Sequence, residues 1–210
     1  EVQPTTWLRI LGGARYEVFS QDLEAASPVV DEDDAVTAER TDTDALPSGS
    51  LVFALGEAMN LRAGYRMSVA RPAVSAVAPF RIQDYVRRRT IDGNPDLQIT
   101  RVHNADLRWE WFPGPTEVLA ATVFYKEFID PYELVVQNAE GSTLKYENAE
   151  GATNYGAELE ARVGLGNLSP ALSDLSLGTN LLLVASQIDL ACTPLEGVPG
   201  ECQENYTSTS

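Results

Sequence analysis

The stretch Leu61-Arg-Ala-Gly-Tyr-Arg-Met-Ser-Val-Ala70 decides how the chain must be read. Its odd positions, Leu61, Ala63, Tyr65, Met67 and Val69, are apolar, whereas its even ones, Arg62, Gly64, Arg66, Ser68 and Ala70, are small or cationic. Alternation at period 2 puts one set on each face of a β-strand, and a helix at period 3.6 would mix them. The same split recurs in Ala105, Leu107, Trp109 and Trp111 against Asp106, Arg108 and Glu110, and in Tyr155, Ala157, Leu159, Ala161 and Val163 against Asn154, Gly156, Glu158, Glu160 and Arg162.

Working outward, four less strict segments bring the total to about seven strands, near 7–19, 46–55, 61–71, 103–112, 118–128, 153–163 and 175–189. Their lengths, about 10 to 15 residues, exceed the 5 to 6 of ordinary globular strands and suit a tilted crossing of a bilayer, about 9 to 11. Long and short connections alternate. The long ones, 20–45, 72–102, 129–152 and 190–210, all fall at one end of the strands, as the extracellular loops of an outer-membrane barrel do. A soluble β-sandwich gives the same alternation, although its loops are rarely long on one side only.

Cost decides which face is which. A mid-plane Arg against lipid costs about 2 to 4 kcal/mol, so Arg62, Arg66, Arg108, Glu158, Glu160 and Arg162 must face an interior. That interior is wet and charged, which suggests a wide lumen holding water or another polypeptide segment. Trp109, Trp111, Tyr125 and Tyr155 on the opposite face suit the aromatic belts of a membrane boundary.

The charge balance, 15 Lys and Arg against 31 Asp and Glu for a net −16, would repel nucleic-acid phosphates and excludes a general nucleic-acid binder. The longest uncharged stretch, Leu175 to Ile188, has 14 residues and several polar ones, short of the about 20 apolar residues of a spanning helix. The chain opens at Glu1-Val2-Gln3 without a signal peptide and ends in a polar stretch, and it reads as a section of something longer. Cys192 and Cys202, close together in a Pro- and Gly-rich loop, read as a local disulfide in an oxidising compartment, with free thiols as the alternative.

Leu61-Arg-Ala-Gly-Tyr-Arg-Met-Ser-Val-Ala-Arg-Pro72, Ala78-Pro-Phe80, Gly93-Asn-Pro-Asp-Leu97, Phe124-Tyr-Lys126, Tyr146-Glu-Asn-Ala149 and Asn154-Tyr-Gly-Ala-Glu-Leu-Glu160 follow one another in an order and spacing that resemble the barrel of a TonB-dependent outer-membrane receptor. The resemblance covers nearly the whole chain; each motif is weak alone, and the ordered set is specific. It implies an all-β, antiparallel, up-and-down transmembrane β-barrel of about 22 strands with a plugged lumen, of which this chain is about a third. It also implies a Gram-negative outer membrane and import of a scarce nutrient: a siderophore-bound iron, a cobalamin or a glycan. The implied partners are that nutrient ligand on the extracellular side, TonB acting through an N-terminal plug region not in this chain, and outer-membrane lipid and lipopolysaccharide. After Leu97 the family usually continues with a Pro and an acidic residue. Here Gln98-Ile-Thr100 follows, which leaves the start of the fourth strand open.

Little catalytic chemistry is available. His103 is the single histidine, so a metal site or nucleophile relay would rest on one residue at a strand start; no enzyme activity and no cofactor are expected. Between Asp22 and Asp44 lie nine carboxylates and one Arg; Asp31, Asp33 and Asp34 could ligate Ca²⁺, but a solvated loop fits a charge run without apolar anchors better. The candidate substrate-binding residues are Arg66, Arg71, Tyr85, Arg87 and Arg88, because guanidinium forks match carboxylates and phosphates. Pairing of the Arg cluster with the acidic loop or with lipopolysaccharide phosphates is an equal reading. A passive porin and a secreted β-rich binding module are the rival functions.

Overall fold

A computed structural model describes residues 1–25, 36–137, 143–167, 169–189, 193–194 and 202–203. It is an antiparallel wall with a small second sheet at its rim. The wall consists of β1 (Val2–Thr5), β2 (Leu8–Ala25), β3 (Val36–Ala54), β4 (Met59–Ala70), β7 (Thr100–Trp111), β8 (Val118–Ile129), β11 (Gly151–Gly164) and β12 (Ser176–Asp189). They hydrogen-bond in the order β1-β2-β3-β4-β7-β8-β11-β12, each antiparallel to the next. The sheet is open, a section of a barrel wall rather than a closed barrel. To the seven long strands β1 adds a four-residue one, and its turn to β2 joins the short-turn rim.

The registers put Arg62 opposite Arg108, Arg108 opposite Thr122 and Thr122 opposite Glu158, so the charged side chains share one face. On the other face Tyr65, Ala105, Tyr125 and Tyr155 form one row, with Leu107, Val123 and Leu159 exposed beneath it. The next row outward is Met67, His103, Glu127, Thr153 and Gln187, where the apolar face ends.

Three strand bounds differ from those expected by three residues or more. β2 and β3 pair continuously out to Ala25 opposite Val36, so the stretch 20–45 is largely strand. Beyond Val18 the outer positions of β2 become Ser20, Asp22 and Glu24: the apolar alternation stops where the strand leaves an apolar environment, although the backbone ladder continues. Eighteen residues at about 3.3 Å each span about 60 Å, well past an apolar band about 25 Å tall. β7 starts at Thr100 rather than 103, because the Thr100 hydroxyl donates to Asp130 O at 3.1 Å and ties the strand end to the β8 rim.

The long connections 72–102 and 129–152 are not independent loops. They contribute a helical turn, α1 (Val74–Val77), and four short strands, β5 (Arg81–Asp84), β6 (Arg89–Asp92), β9 (Tyr132–Val136) and β10 (Thr143–Asn148). These form one sheet of order β5-β6-β10-β9, in which β6 and β10 run parallel. Strands of four to six residues carry too little periodicity to be read from sequence. The clustered apolar core lies here: Ala76, Val77 and Leu97 pack against Leu23, Tyr132 and Tyr146, whereas the wall buries Leu46, Val52, Val102 and Ala120 along its strands. Beyond β12, Thr193–Pro194 (β13) pairs with Cys202–Gln203 (β14).

Candidate functional site

From β3 to β12 the inner face of the wall is built from even-numbered side chains of neighbouring strands, brought within ion-pair distance by the register. Arg62 Nε on β4 donates to Glu110 Oε2 on β7 at 2.7 Å, and Arg108 Nε donates to the other oxygen of Glu110 at 2.9 Å. Arg108 Nη2 reaches Glu160 Oε2 on β11 at 2.7 Å, and its Nη1 reaches Thr122 Oγ1 on β8 at 3.2 Å. Glu110, 7% exposed, has both oxygens occupied. Two cations and two anions on β4, β7 and β11 cancel, and the Thr122 hydroxyl joins β8 to them, so that the network braces four strands.

A second network ties the wall to its rim. Arg71 pairs with Glu17 at 3.0 Å and with the buried Asp44 at 3.4 Å, and its guanidinium lies over the Phe19 ring, 4.8 Å from the centroid. Arg101 reaches the same Asp44 carboxylate at 3.6 Å. Arg71 is thus engaged within the wall, and its Nε is buried without a partner. Arg40 pairs with Asp42 and donates to Leu97 O, which joins the β3 extension to the rim core.

The sequence motifs converge on that core. Gly93 passes so close to Ala78 that a Cβ there would stand 2.0 Å from its carbonyl oxygen. Asn94 donates from its backbone N–H to Ala76 O at 2.7 Å and from its side chain to Tyr146 O at 2.9 Å. Asn148 accepts from Gln98 N–H at 2.8 Å and donates to Asp130 O at 2.8 Å. Ala78-Pro-Phe80, Gly93-Asn-Pro-Asp-Leu97 and Tyr146-Glu-Asn-Ala149, separated in sequence, form one knot that holds the rim sheet on the wall. The sequence reading held Asn94 and Asn148 within its motifs but not their partners, because an Asn side chain carries no signal of the distant carbonyl it will meet.

The rim sheet presents the β5–β6 hairpin outward. Asp84 Oδ1 accepts from the N–H groups of Val86 and Arg87, each at 3.1 Å, and closes the turn. Tyr85 and Val86 are 84% and 94% exposed, and Arg87 and Arg88 are exposed beside them. Arg88 has a φ of 53°, a left-handed conformation that costs a non-glycine residue about 1 to 2 kcal/mol. At the hairpin base Arg81 grips Asp92 through two bonds, 2.6 and 2.9 Å, and the guanidinium holds that carboxyl below the usual carboxylate range against the opposing effect of burial.

Tyr85, Arg87 and Arg88 therefore share one hairpin tip, Arg66 lies on the inner wall, and Arg71 lies in the rim network. His103 faces outward, its Nδ1 2.7 Å from the Tyr65 hydroxyl. The Ca²⁺ candidates Asp31, Asp33 and Asp34, and Cys192 of the expected disulfide, lie outside the described residues. Among the described residues no cluster of His, Cys, Asp and Glu could hold a metal ion.

Comparison with known proteins agrees with this architecture. The siderophore receptor PirA from Pseudomonas aeruginosa is 18% identical, with a TM-score of 0.59 over 86% of this chain and 35% of its own. The FrpB iron transporter from Neisseria meningitidis (F5-1 variant) is 17% identical, with a TM-score of 0.56 over 95% of this chain and 26% of its own. An R480A mutant of the ferric enterobactin receptor PfeA from Pseudomonas aeruginosa, in complex with enterobactin, is 18% identical, with a TM-score of 0.55 over 80% of this chain and 27% of its own. At these identities the likeness concerns the fold, and the chain spans about a quarter to a third of each structure's length. No curated protein matches the chain. The model of the family described as TonB dependent receptor-like, beta-barrel matches residues 1–199, and the chain belongs to that family.

Proposed function

We propose that the chain forms part of the wall and mouth of an outer-membrane TonB-dependent receptor, which imports an anionic nutrient complex of the siderophore type and catalyses no reaction. The observation that carries this reading is a wall apolar outside and charged inside, with a rim hairpin that exposes Tyr85, Arg87 and Arg88. A passive wall needs no such tip, and Arg88 holds a strained conformation there. The similar solved structures include siderophore receptors and an iron transporter, one of them binding enterobactin, which supports iron chelates as the cargo. TonB would act through the plug region, and lipid and lipopolysaccharide would contact the tyrosine row of the outer face.

Uptake of radiolabelled ferric siderophores by Gram-negative cells carrying the complete receptor tests the proposal. Uptake should stop when TonB is deleted, and removing Arg87 and Arg88 together should weaken ligand binding about a hundredfold or more, the loss expected for two charge-assisted hydrogen bonds. Uptake that persists without TonB would identify a passive porin, and a protein that stays in buffer without detergent would identify a secreted binding module. We propose likewise that Cys192 and Cys202 form an extracellular disulfide, on the strength of their short separation in a Pro- and Gly-rich stretch. A membrane-impermeant maleimide should then label intact cells only after reduction; labelling without reductant would exclude the bond.

A further inference from the structure

Toward the long-loop rim the wall is split. The β3–β4 ladder stops at Ser48 opposite Arg66. On one side of that stop β2 and β3 stay paired out to Ala25 opposite Val36, and on the other β4 and β7 stay paired to Ala70 opposite Thr100. Proline explains the stop. Just past β3 the Leu55 N–H donates toward β4, to Met59 O at 2.9 Å, and the Ala54 N–H donates to the opposite side, to Trp7 O at 2.8 Å. Sides alternate along a strand, so the odd-numbered N–H groups of β3 face β4. Pro47 is the odd position at which the ladder ends, and it has no N–H to give. Both banks of this seam belong to the chain; further strands of a barrel would adjoin β1 and β12, at the far edges of the sheet.

Side chains close the seam where the backbone does not. The side chain of Asp44 is 2% exposed, and each of its oxygens meets one guanidinium: Arg71 lies 3.4 Å from Oδ2 and Arg101 3.6 Å from Oδ1. Arg71 directly follows β4, and Arg101 is the second residue of β7. One carboxylate on β3 therefore holds both roots of the excursion that carries β5, β6 and their hairpin. Farther out, Arg40 reaches Leu97 O and Leu23 packs on the rim core. The level of the stop is also the softest part of the β2–β3 pair, with Gly12 opposite Gly49 and Ala14 opposite Pro47. A Cβ at Gly12 or Gly49 would meet nothing nearer than 3.8 Å. Packing does not require glycine there, and what glycine supplies is freedom to bend.

We infer that the outer part of β2 and β3 is a flap hinged at this glycine and proline level, and that Asp44 is the latch that holds it against the rim assembly. Releasing Arg71 and Arg101 opens a lateral gap in the long-loop rim. Closing it re-forms two ion pairs and no strand ladder. The flap is independent of the import reading, since a passive porin with the same wall would carry it too.

Double electron–electron resonance on the complete receptor in liposomes tests it. Nitroxides on Glu39→Cys of the flap and Glu127→Cys of the outer wall, both exposed positions, report the distance between the two, with Cys192→Ser and Cys202→Ser to keep the labelling specific. Glu39 lies about 30 Å along the strand from Ser48, so a swing of about 10° moves it by about 5 Å. The parent should give one narrow distance, and Asp44→Asn should broaden the distribution by about 5 Å or more. Adding Gly12→Val and Gly49→Val to Asp44→Asn should narrow it again, because valine fits a strand and stiffens it. A parent as broad as Asp44→Asn, or an Asp44→Asn as narrow as the parent, overturns the latch. Broadening that the valines leave in place overturns the hinge. Broadening with loss of amide protection throughout β4 and β7 is unfolding of the wall and overturns the flap as well. Uptake, measured separately, bears on the import reading and not on this one.

Discussion

In the wall, Tyr65, Tyr125, Tyr155 and Leu159 lie open on the outer face, and the inner face is lined by ion pairs. In the rim assembly the order is reversed: Ala76, Val77 and Leu97 are buried, and the charged residues of the hairpin stand outside. The difference teaches that one chain folds against two solvents. The rim assembly gains from removing apolar surface from water, about 25 cal/mol per Å². The outer face of the wall cannot gain in this way, because Leu107, Val123, Tyr155 and Leu159 remain exposed on it; the wall's order comes from continuous backbone ladders, cross-strand charge pairs and, on the proposed reading, a bilayer that accepts that face.

The sharpest break of that comparison is at Gly93. A Cβ 2.0 Å from the Ala78 carbonyl oxygen cannot be accommodated without moving backbone, so Gly93→Val should cost the rim assembly more than about 4 kcal/mol. Limited proteolysis should then cut 78–98 while wall strands stay protected; simultaneous loss of both would mean that the two regions are one cooperative unit. Next is Leu159→Arg, which should destabilise the receptor in lipid by about 2 to 4 kcal/mol if it lies near mid-plane. Its neighbour on the other face, Glu158→Gln, should stay within about 0.5 kcal/mol. Equal losses in urea unfolding from liposomes would reverse the face assignment.

Glu110→Gln removes the charge shared by Arg62 and Arg108 and should cost about 1 to 3 kcal/mol by the same measurement. No loss would mean that the wall depends on its ladders alone. The smallest effect belongs to Asp92. Its carboxyl is held below the usual range by Arg81, so the bond contributes stability above the unfolded carboxyl pKa of about 3.9 and loses it as the pH falls through the lower folded value. Amide protection in β5 and β6, corrected for the intrinsic exchange rate, should fall as the pH drops below about 3.9, and Asp92→Asn should abolish that step; a step that survives in the variant belongs to another carboxyl.

The two faces of the wall were legible from residues alone. The alternation of Tyr65 with Arg66, or of Leu159 with Glu160, is a property of one strand and needs no neighbour. The outer half of β2 and β3 was illegible for the same reason, because beyond Val18 both faces meet water and the pattern disappears while the pairing persists. The rim sheet was also hidden: β6 joins β10 in parallel, Thr90 opposite Thr143, across a chain separation that no local signal spans.

The sequence by itself determined the strand character, the two-faced wall and the family's ordered motifs, since side-chain alternation and composition are encoded residue by residue. Only the tertiary structure decided which charges pair across the strands. Arg62 and Arg66 look alike in sequence, two positions apart on one face. The register sets Arg62 within reach of Glu110 and sets Arg66 beside Asn104 in the row of Lys126. Register is a relation between strands, set by every turn and ladder between them, and one strand's sequence does not contain it.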